Sequence, residues 1–204
     1  MLSNCFESEN NIVYVDEVFP DGWLRIRMDI GNLYIPEGTK LKLIEEKNGR
    51  QYFVILEGKF RGKKGSVIAK KNLFGLVKSS YLTTKNRRKG PAKLIFNKDS
   101  KKLFIKGLGK FNAFTDPDNP ISNGSYVLEI PDEPHSIYGS IYRSYSNYSN
   151  TWFRIGRSGD RYLHCGRVSA GCLTVTELTK WTKIYKHLRY CRSIDGVIGI
   201  VTVE

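Results

Sequence analysis

The sequence predicts a mainly β protein in two parts, a small N-terminal barrel and a larger β unit carrying one long helix. Three observations lead there. Short β-branched and aromatic runs recur up to Ala69, separated by turn signals. A compact hairpin, Lys93–Phe96 with Lys102–Ile105, opens the second part around the turn Asn97-Lys98-Asp99-Ser100. After Thr176, apolar residues recur at three- and four-residue spacing over several helical turns.

The N-terminal runs are Ile12–Val18, Trp23–Ile30, Lys40–Glu45, Gln51–Glu57 and Gly65–Ala69. Pro20-Asp21-Gly22, Pro36-Glu37-Gly38 and Lys47-Asn48-Gly49 part them, and Asn48-Gly49 is a hairpin signal. Five short strands at this spacing predict an SH3-like small barrel over residues 1–80. Charge, Gly and Pro then cluster without apolar periodicity, so 81–91 is read as a basic linker and 92–204 as a second domain. A long loop inside one β-rich domain is the alternative. Within the second part, Tyr126, Leu128 and Ile130 alternate as a half-buried strand does. Thr151–Ile155, Tyr162–Gly166 and Val197–Val203 also read as strands. Thr176 is the expected helix N-cap, and Leu178, Trp181, Ile184, Tyr185, Leu188 and Cys191 form the apolar face.

The chain of 204 residues carries a net charge of +13, and from Lys59 to Lys110 seventeen Lys or Arg stand against the single acid Asp99. Such a surface concentrates polyanions: nucleic acid, anionic lipid or an acidic wall polymer. The cysteines Cys5, Cys165, Cys172 and Cys191 have no framework spacing, so no disulfide scaffold is expected. The N-terminus lacks a basic segment followed by an apolar one, and no stretch reaches the length of a membrane span. The expectation is synthesis in the cytoplasm without a signal peptide.

Chemistry concentrates in Arg161–Thr176, RYLHCGRVSAGCLTVT. The chain has three histidines, and His164 lies eight residues before Cys172. A thiol becomes a good nucleophile when an imidazole holds it as thiolate. Gly171 allows a tight turn, from which the Gly171 and Cys172 amides are expected to face a developing oxyanion. Ser169 either fixes that loop or bonds substrate. Arg167, between base and nucleophile, favours the thiolate or holds a substrate carboxylate. His135 is read at the rim of a groove or on an exposed loop. Cys165 follows His164 directly, so in a strand the two face opposite ways, and a zinc site from His164, Cys165 and Cys172 is not expected. No cofactor or metal is expected, and Cys191 is read as a core thiol.

The run His164…Ser169-Ala170-Gly171-Cys172-Leu173 resembles the signature of the L,D-transpeptidase (YkuD-type) catalytic domain: His, a short stretch, then Ser-x-Gly-Cys and an apolar residue. The hairpin Lys93–Ile105 is similar to the one opening that domain, and Asn119–Tyr126 resembles one of its strand starts. The resemblance covers roughly Pro91–Glu204 and implies a YkuD-like β-sandwich with one long helix. It also implies that the Cys172 thiolate attacks a carbonyl of a peptidoglycan stem peptide, with His164 as base. The acyl group would then pass to an amine or to water. The family's Arg two residues after the cysteine is Thr174 here, so carboxylate recognition falls to Arg167, Arg154 or Arg157. Arg167, Tyr126, Arg154, Thr174 and His135 make up the expected substrate-binding set. Peptidoglycan is the expected partner, reached in the periplasm or wall by non-classical delivery. A secretion system and a cognate immunity protein would then be further partners. The alternative is a basic barrel that binds nucleic acid without catalysis, through Lys59–Gly65 and Lys85–Lys89.

Overall fold

The structure is a computed structural model; it describes residues 11–16, 18–71, 78–193 and 195–204. Cys5 and the N-terminal segment read above lie outside the described residues.

The first sheet is built from β1 (Ile12–Val15), β2 (Trp23–Met28), β3 (Gly31–Pro36), β4 (Lys40–Lys47), β5 (Arg50–Ile55) and β6 (Lys64–Ile68). A two-stranded pair, β7 (Lys70–Lys71) with β8 (Lys78–Ser79), follows, and β9 (Leu82–Thr83) returns to pair with β1. The order β3-β2-β6-β5-β4-β1-β9 gives a barrel-like sheet, as the turn signals predict. Alternate residues make its core: Leu24, Ile26 and Met28 of β2 meet Val13, Leu41, Phe53, Ile55 and Val67. The strand β3 was not among the expected runs. Only Ile35 and Pro36 are buried in it, so it shows no alternation.

The second sheet contains β10 (Ala92–Asn97), β11 (Lys102–Ile105), β12 (Gly109–Phe114), β13 (Gly124–Leu128), β14 (Phe153–Arg154), β15 (Tyr162–Cys165), β16 (Leu173–Val175) and β17 (Gly199–Val203). Its order is β13-β17-β10-β11-β12-β16-β15-β14. The two ends meet through a bridge between Leu128 and Ile155, flanked by Glu129 N–H to Arg154 O at 2.9 Å and Gly156 N–H to Val127 O at 2.8 Å. The sheet therefore curls around Leu94, Phe96, Leu103, Ile105, Phe153, Leu163 and Val201.

Two helices accompany it: α1 (Ser136–Gly139), continued by one 3₁₀ turn, and α2 (Trp181–Leu188). Trp181, Ile184, Tyr185 and Leu188 of α2 point into the core on the expected face. The helix is shorter than its periodicity suggests, because Leu178–Lys180 form a 3₁₀ turn. Thr176 is not its N-cap: its N–H bonds Asn112 O at 3.0 Å and so prolongs the pairing of β16 with β12. Among the described residues no helix is long and apolar enough to cross a membrane.

Buried polar groups join the two sheets. Trp23, fully buried, donates its indole N–H to Thr151 Oγ1 at 2.8 Å. Glu37 accepts from Arg189 at 2.6 Å and from the Tyr190 hydroxyl at 2.7 Å. Glu57 accepts from Arg88, from Arg192 Nε at 3.3 Å and from the Lys40 N–H at 3.0 Å. A carboxylate out of water persists only when it is paired or hydrogen-bonded, and both of these meet guanidinium groups from the other side of the junction.

Candidate active site

In β15, Leu163 and Cys165 point into the core, which leaves Tyr162 and His164 on the outer face. β16 runs parallel to β15, with Leu163 opposite Leu173 and His164 opposite Thr174. Parallel neighbours usually need a crossover of a dozen residues or more. Here residues 166–172 suffice, because both strands are so short. The chain turns back along β15 and enters β16 at Cys172, beside Tyr162.

Gly171 makes that return possible. Its φ is +102°, and a Cβ there would lie 2.9 Å from Asn119 Nδ2 and 3.0 Å from Arg161 Nη1. Ser169 ties the loop by donating to Cys172 O at 2.8 Å and accepting the Gly171 N–H at 3.3 Å. Of the two readings of Ser169, the geometry matches loop fixation. The Gly171 amide is thereby occupied, so it does not stand free beside that of Cys172 as the turn had suggested.

Cys172 and His164 share the outer face on neighbouring strands, offset by two residues in register, and no hydrogen bond joins them. The Cys172 thiol contacts Asp160 O at 3.7 Å. Burial pushes its pKa up, while the Tyr162 N–H and the Arg161 charge oppose the rise. Arg161, not Arg167, is the cation beside the thiol: its guanidinium donates to Gly171 O at 2.6 Å and Asn119 Oδ1 at 2.8 Å. Arg167 is exposed, and its backbone N–H bonds the Tyr142 hydroxyl at 3.1 Å.

His164 is only 5% exposed, and burial lowers its pKa to about 4. Its Nδ1 lies 3.0 Å from Cys165 O, and its Nε2 3.1 Å from Thr174 Oγ1. A carbonyl only accepts, so Nδ1 carries the proton and Nε2 accepts from the Thr174 hydroxyl. Thr174, at the position where an arginine was expected, thus holds the imidazole.

Trp152, immediately before β14, stacks on His164 at 4.2 Å. The other face of the indole carries His135, 4.3 Å away and within 5° of parallel. His135 also meets Tyr162 edge-on at 4.6 Å, and its Nε2 lies 3.5 Å from Asp132 Oδ1. Asp132 Oδ2 accepts from the Tyr162 hydroxyl at 3.3 Å. Burial opposes ionisation of Asp132, but the neighbouring His135 imidazole together with the backbone N–H groups of Asp132 and Glu133 outweighs it and lowers the carboxyl pKa. Burial, aided by Asp132, raises Tyr162 to about 12, so its hydroxyl stays protonated.

Arg154 is on the same face opposite Tyr162, paired to Glu129 with Nε at 2.8 Å. Tyr126 does not join the group: it packs against the core cluster, with its hydroxyl on Ser122 O at 3.0 Å. The structure thus brings together Cys172, His164, Thr174, His135, Arg154, Gly171 and Ser169. Asp132, Trp152 and Arg161 were not singled out from the sequence. The one local signal for the first is the prolines Pro131 and Pro134, which stiffen the segment presenting Asp132 and His135.

The fold and the site define a mainly β protein with a buried cysteine–histidine pair on the outside of a curled sheet. No protein-family model matches the chain, and no curated protein does. Among solved structures, L,D-transpeptidase 1 of Mycobacterium tuberculosis is similar at 13% identity, covering 96% of this chain and 87% of that one, with a TM-score of 0.36. A further L,D-transpeptidase from Mycobacterium tuberculosis H37Rv is similar at 11% identity, with 88% and 79% covered and a TM-score of 0.38. The likeness is distant and leaves the chemistry to be argued from the residues.

Proposed function

We propose that the chain is a cysteine acyltransferase acting on peptide carbonyls of peptidoglycan stem peptides. The observation that carries this reading is the placing of Cys172, His164, Thr174 and Tyr162 on one outer sheet face, beside the guanidinium of Arg161. The segment His164 to Leu173, which resembles the L,D-transpeptidase signature, supplies the nucleophile and the base.

At rest the thiol is protonated and the imidazole neutral, so the pair is not preformed as thiolate and imidazolium. Turnover begins when substrate fills the face and the Thr174 hydroxyl releases His164 Nε2. The freed Nε2 takes the thiol proton while Sγ bonds the carbonyl carbon. The C–N bond breaks, leaving an acyl thioester on Cys172. An amine from another stem, a free amino acid or water then takes the acyl group, and the thiol is restored. In this reading Arg161 offsets charge at sulfur, and exposed Arg167 is offered to a stem-peptide carboxylate, while Arg154 is held by Glu129 and would have to exchange that partner to serve. The protein would act in the periplasm or wall, delivered as an antibacterial effector with a cognate immunity protein as partner.

The test is mass spectrometry of muropeptides after incubation with wild-type protein and with Cys172→Ala. Loss of all stem-peptide products in the variant is expected; unchanged products sink the proposal.

A second reading rests on a groove of about 620 Å³ on the first sheet. Arg25, Arg27 and Arg50 line it with Phe19 and Tyr81, and its lining holds no carboxylate. Guanidinium groups beside aromatic rings suit single-stranded nucleic acid. Steeply salt-dependent oligonucleotide binding that is lost in Arg25→Ala/Arg27→Ala, without thiol-dependent turnover, would favour it.

A further inference from the structure

An antiparallel sheet with one wet face ordinarily turns polar side chains outward. The strands β10, β11 and β12 depart from that pattern. Leu94, Leu103 and Phe111 point into the core, so Lys93, Ile95, Lys102, Phe104, Lys110 and Asn112 point out. The register sets Ile95, Phe104 and Lys110 in one row across the three strands. β17 extends the apolar part, because its Ile200 lies opposite Lys93 and diagonal to Ile95. Phe104 is 38% exposed, Ile95 39% and Ile200 41%, so three large apolar groups share one wet surface. Single apolar residues are ordinary on a surface, whereas a contiguous group marks a place of contact.

Lysines frame the strip, and no outward position of the three strands is acidic. Among the described residues no carboxylate pairs with Lys93, Lys102 or Lys110; Lys102 donates instead to the Asn112 side chain. A second copy of the chain seated here would set lysine against lysine, which like charge opposes. The surface also continues past β12. Phe114, two residues beyond Asn112, stands opposite Thr174, and Thr174 stands opposite His164. The strip and the proposed site therefore lie on one outer face, roughly 20 Å apart by strand spacing and rise. A tetrapeptide spans at most roughly 14 Å, so a single stem in the site does not reach the strip. A polymer carrying many stems reaches both.

Resting on the acyltransfer reading above, we infer that the outer face of β10–β12 and β17 docks the peptidoglycan strand whose stem is processed at Cys172. Sugar rings offer flat apolar faces to Phe104, Ile95 and Ile200, as an aromatic ring accepts best. Neighbouring stems offer carboxylates to the lysines, whose flexible point charges suit an irregular polymer. The docking is non-covalent. It keeps the enzyme on the strand between turnovers, so the next stem meets the site at a raised effective concentration. Nucleic acid also combines rings with negative charge, but it bears no stem for Cys172.

The experiment uses two probes: purified peptidoglycan sacculi stripped of accessory polymers, and a soluble stem tetrapeptide. Phe104→Ser and Lys102→Gln/Lys110→Gln change side chains that touch neither the core nor the site. Each should lower co-sedimentation with sacculi and turnover of sacculi roughly tenfold, with tetrapeptide turnover within about twofold of wild type. Undiminished sedimentation and turnover on sacculi, or equal loss on both substrates, overturns the docking face while the Cys172 reading stands. Tighter binding of a single-stranded oligonucleotide than of sacculi, lost in the same variants, overturns the polymer as occupant. Cys172→Ala should still sediment with sacculi as wild type does. If that variant also keeps its stem-peptide products, the acyltransfer reading fails separately.

Discussion

Burial holds His164 neutral, with a pKa of about 4 against about 6.5 for a free imidazole. Between those values the unfolded chain binds a proton that the folded chain refuses, so stability rises with pH across that window. The contribution is complete above about pH 6.5 and is lost as pH falls toward 4. At 1.36 kcal/mol per unit it amounts to about 3 kcal/mol. Urea unfolding of wild type at pH 7 and pH 4 should show this loss, and His164→Gln should lack that share of it. An identical pH dependence in both proteins would mean that His164 stays wet. At the same scale Cys165 shows how one step along a strand divides fates: its thiol faces the core and burial pushes it up to about 12.

Among the elements, the return loop 166–172 is the most demanding, because it must place Cys172 at the mouth of β16 within seven residues. Gly171→Ala puts a methyl group against Asn119 and Arg161 at a φ that L-residues avoid. It should cost roughly 1–3 kcal/mol in thermal or urea unfolding and lower turnover with it; unchanged stability would show that the loop adjusts freely. The elements also show which patterns were legible in sequence. The hairpin β10–β11 and the apolar face of α2 follow from periodicity, which the core enforces; β13 forms where a strand was expected, but it ends at Leu128 and Tyr126 is no more buried than Val127. The strand β3 escaped notice because it is largely exposed, and Thr176 was misread because pairing with β12 outcompetes capping. In the site, Cys172 and His164 stood out through their shared segment. Asp132 and Trp152 did not, since each meets its partner only after the sheet curls.

For the whole molecule, the junction between the sheets decides whether they act as one body. Glu57 neutralises Arg192, which is buried, and also pairs with Arg88 from the segment between the sheets. Glu57→Gln would leave an enclosed guanidinium without its counter-charge. The expected cost is about 3–5 kcal/mol, read from the urea midpoint. A shift below about 1 kcal/mol would mean that water reaches the junction and screens the pair. The charge of +13 was evident from composition, but its division between paired and free cations was not. Glu37 and Glu57 look like ordinary surface acids in the sequence, and only folding encloses them.

Trp152 has an optical consequence. An indole emits light, and an imidazole quenches it far more strongly once protonated. The other tryptophans are elsewhere, Trp23 hydrogen-bonded to Thr151 and Trp181 to Tyr148 O. Trp152 alone stacks on His164, so its brightness registers proton arrival on that ring. The molecule carries a built-in fluorescent gauge, readable without a label, at the place where protons are proposed to move.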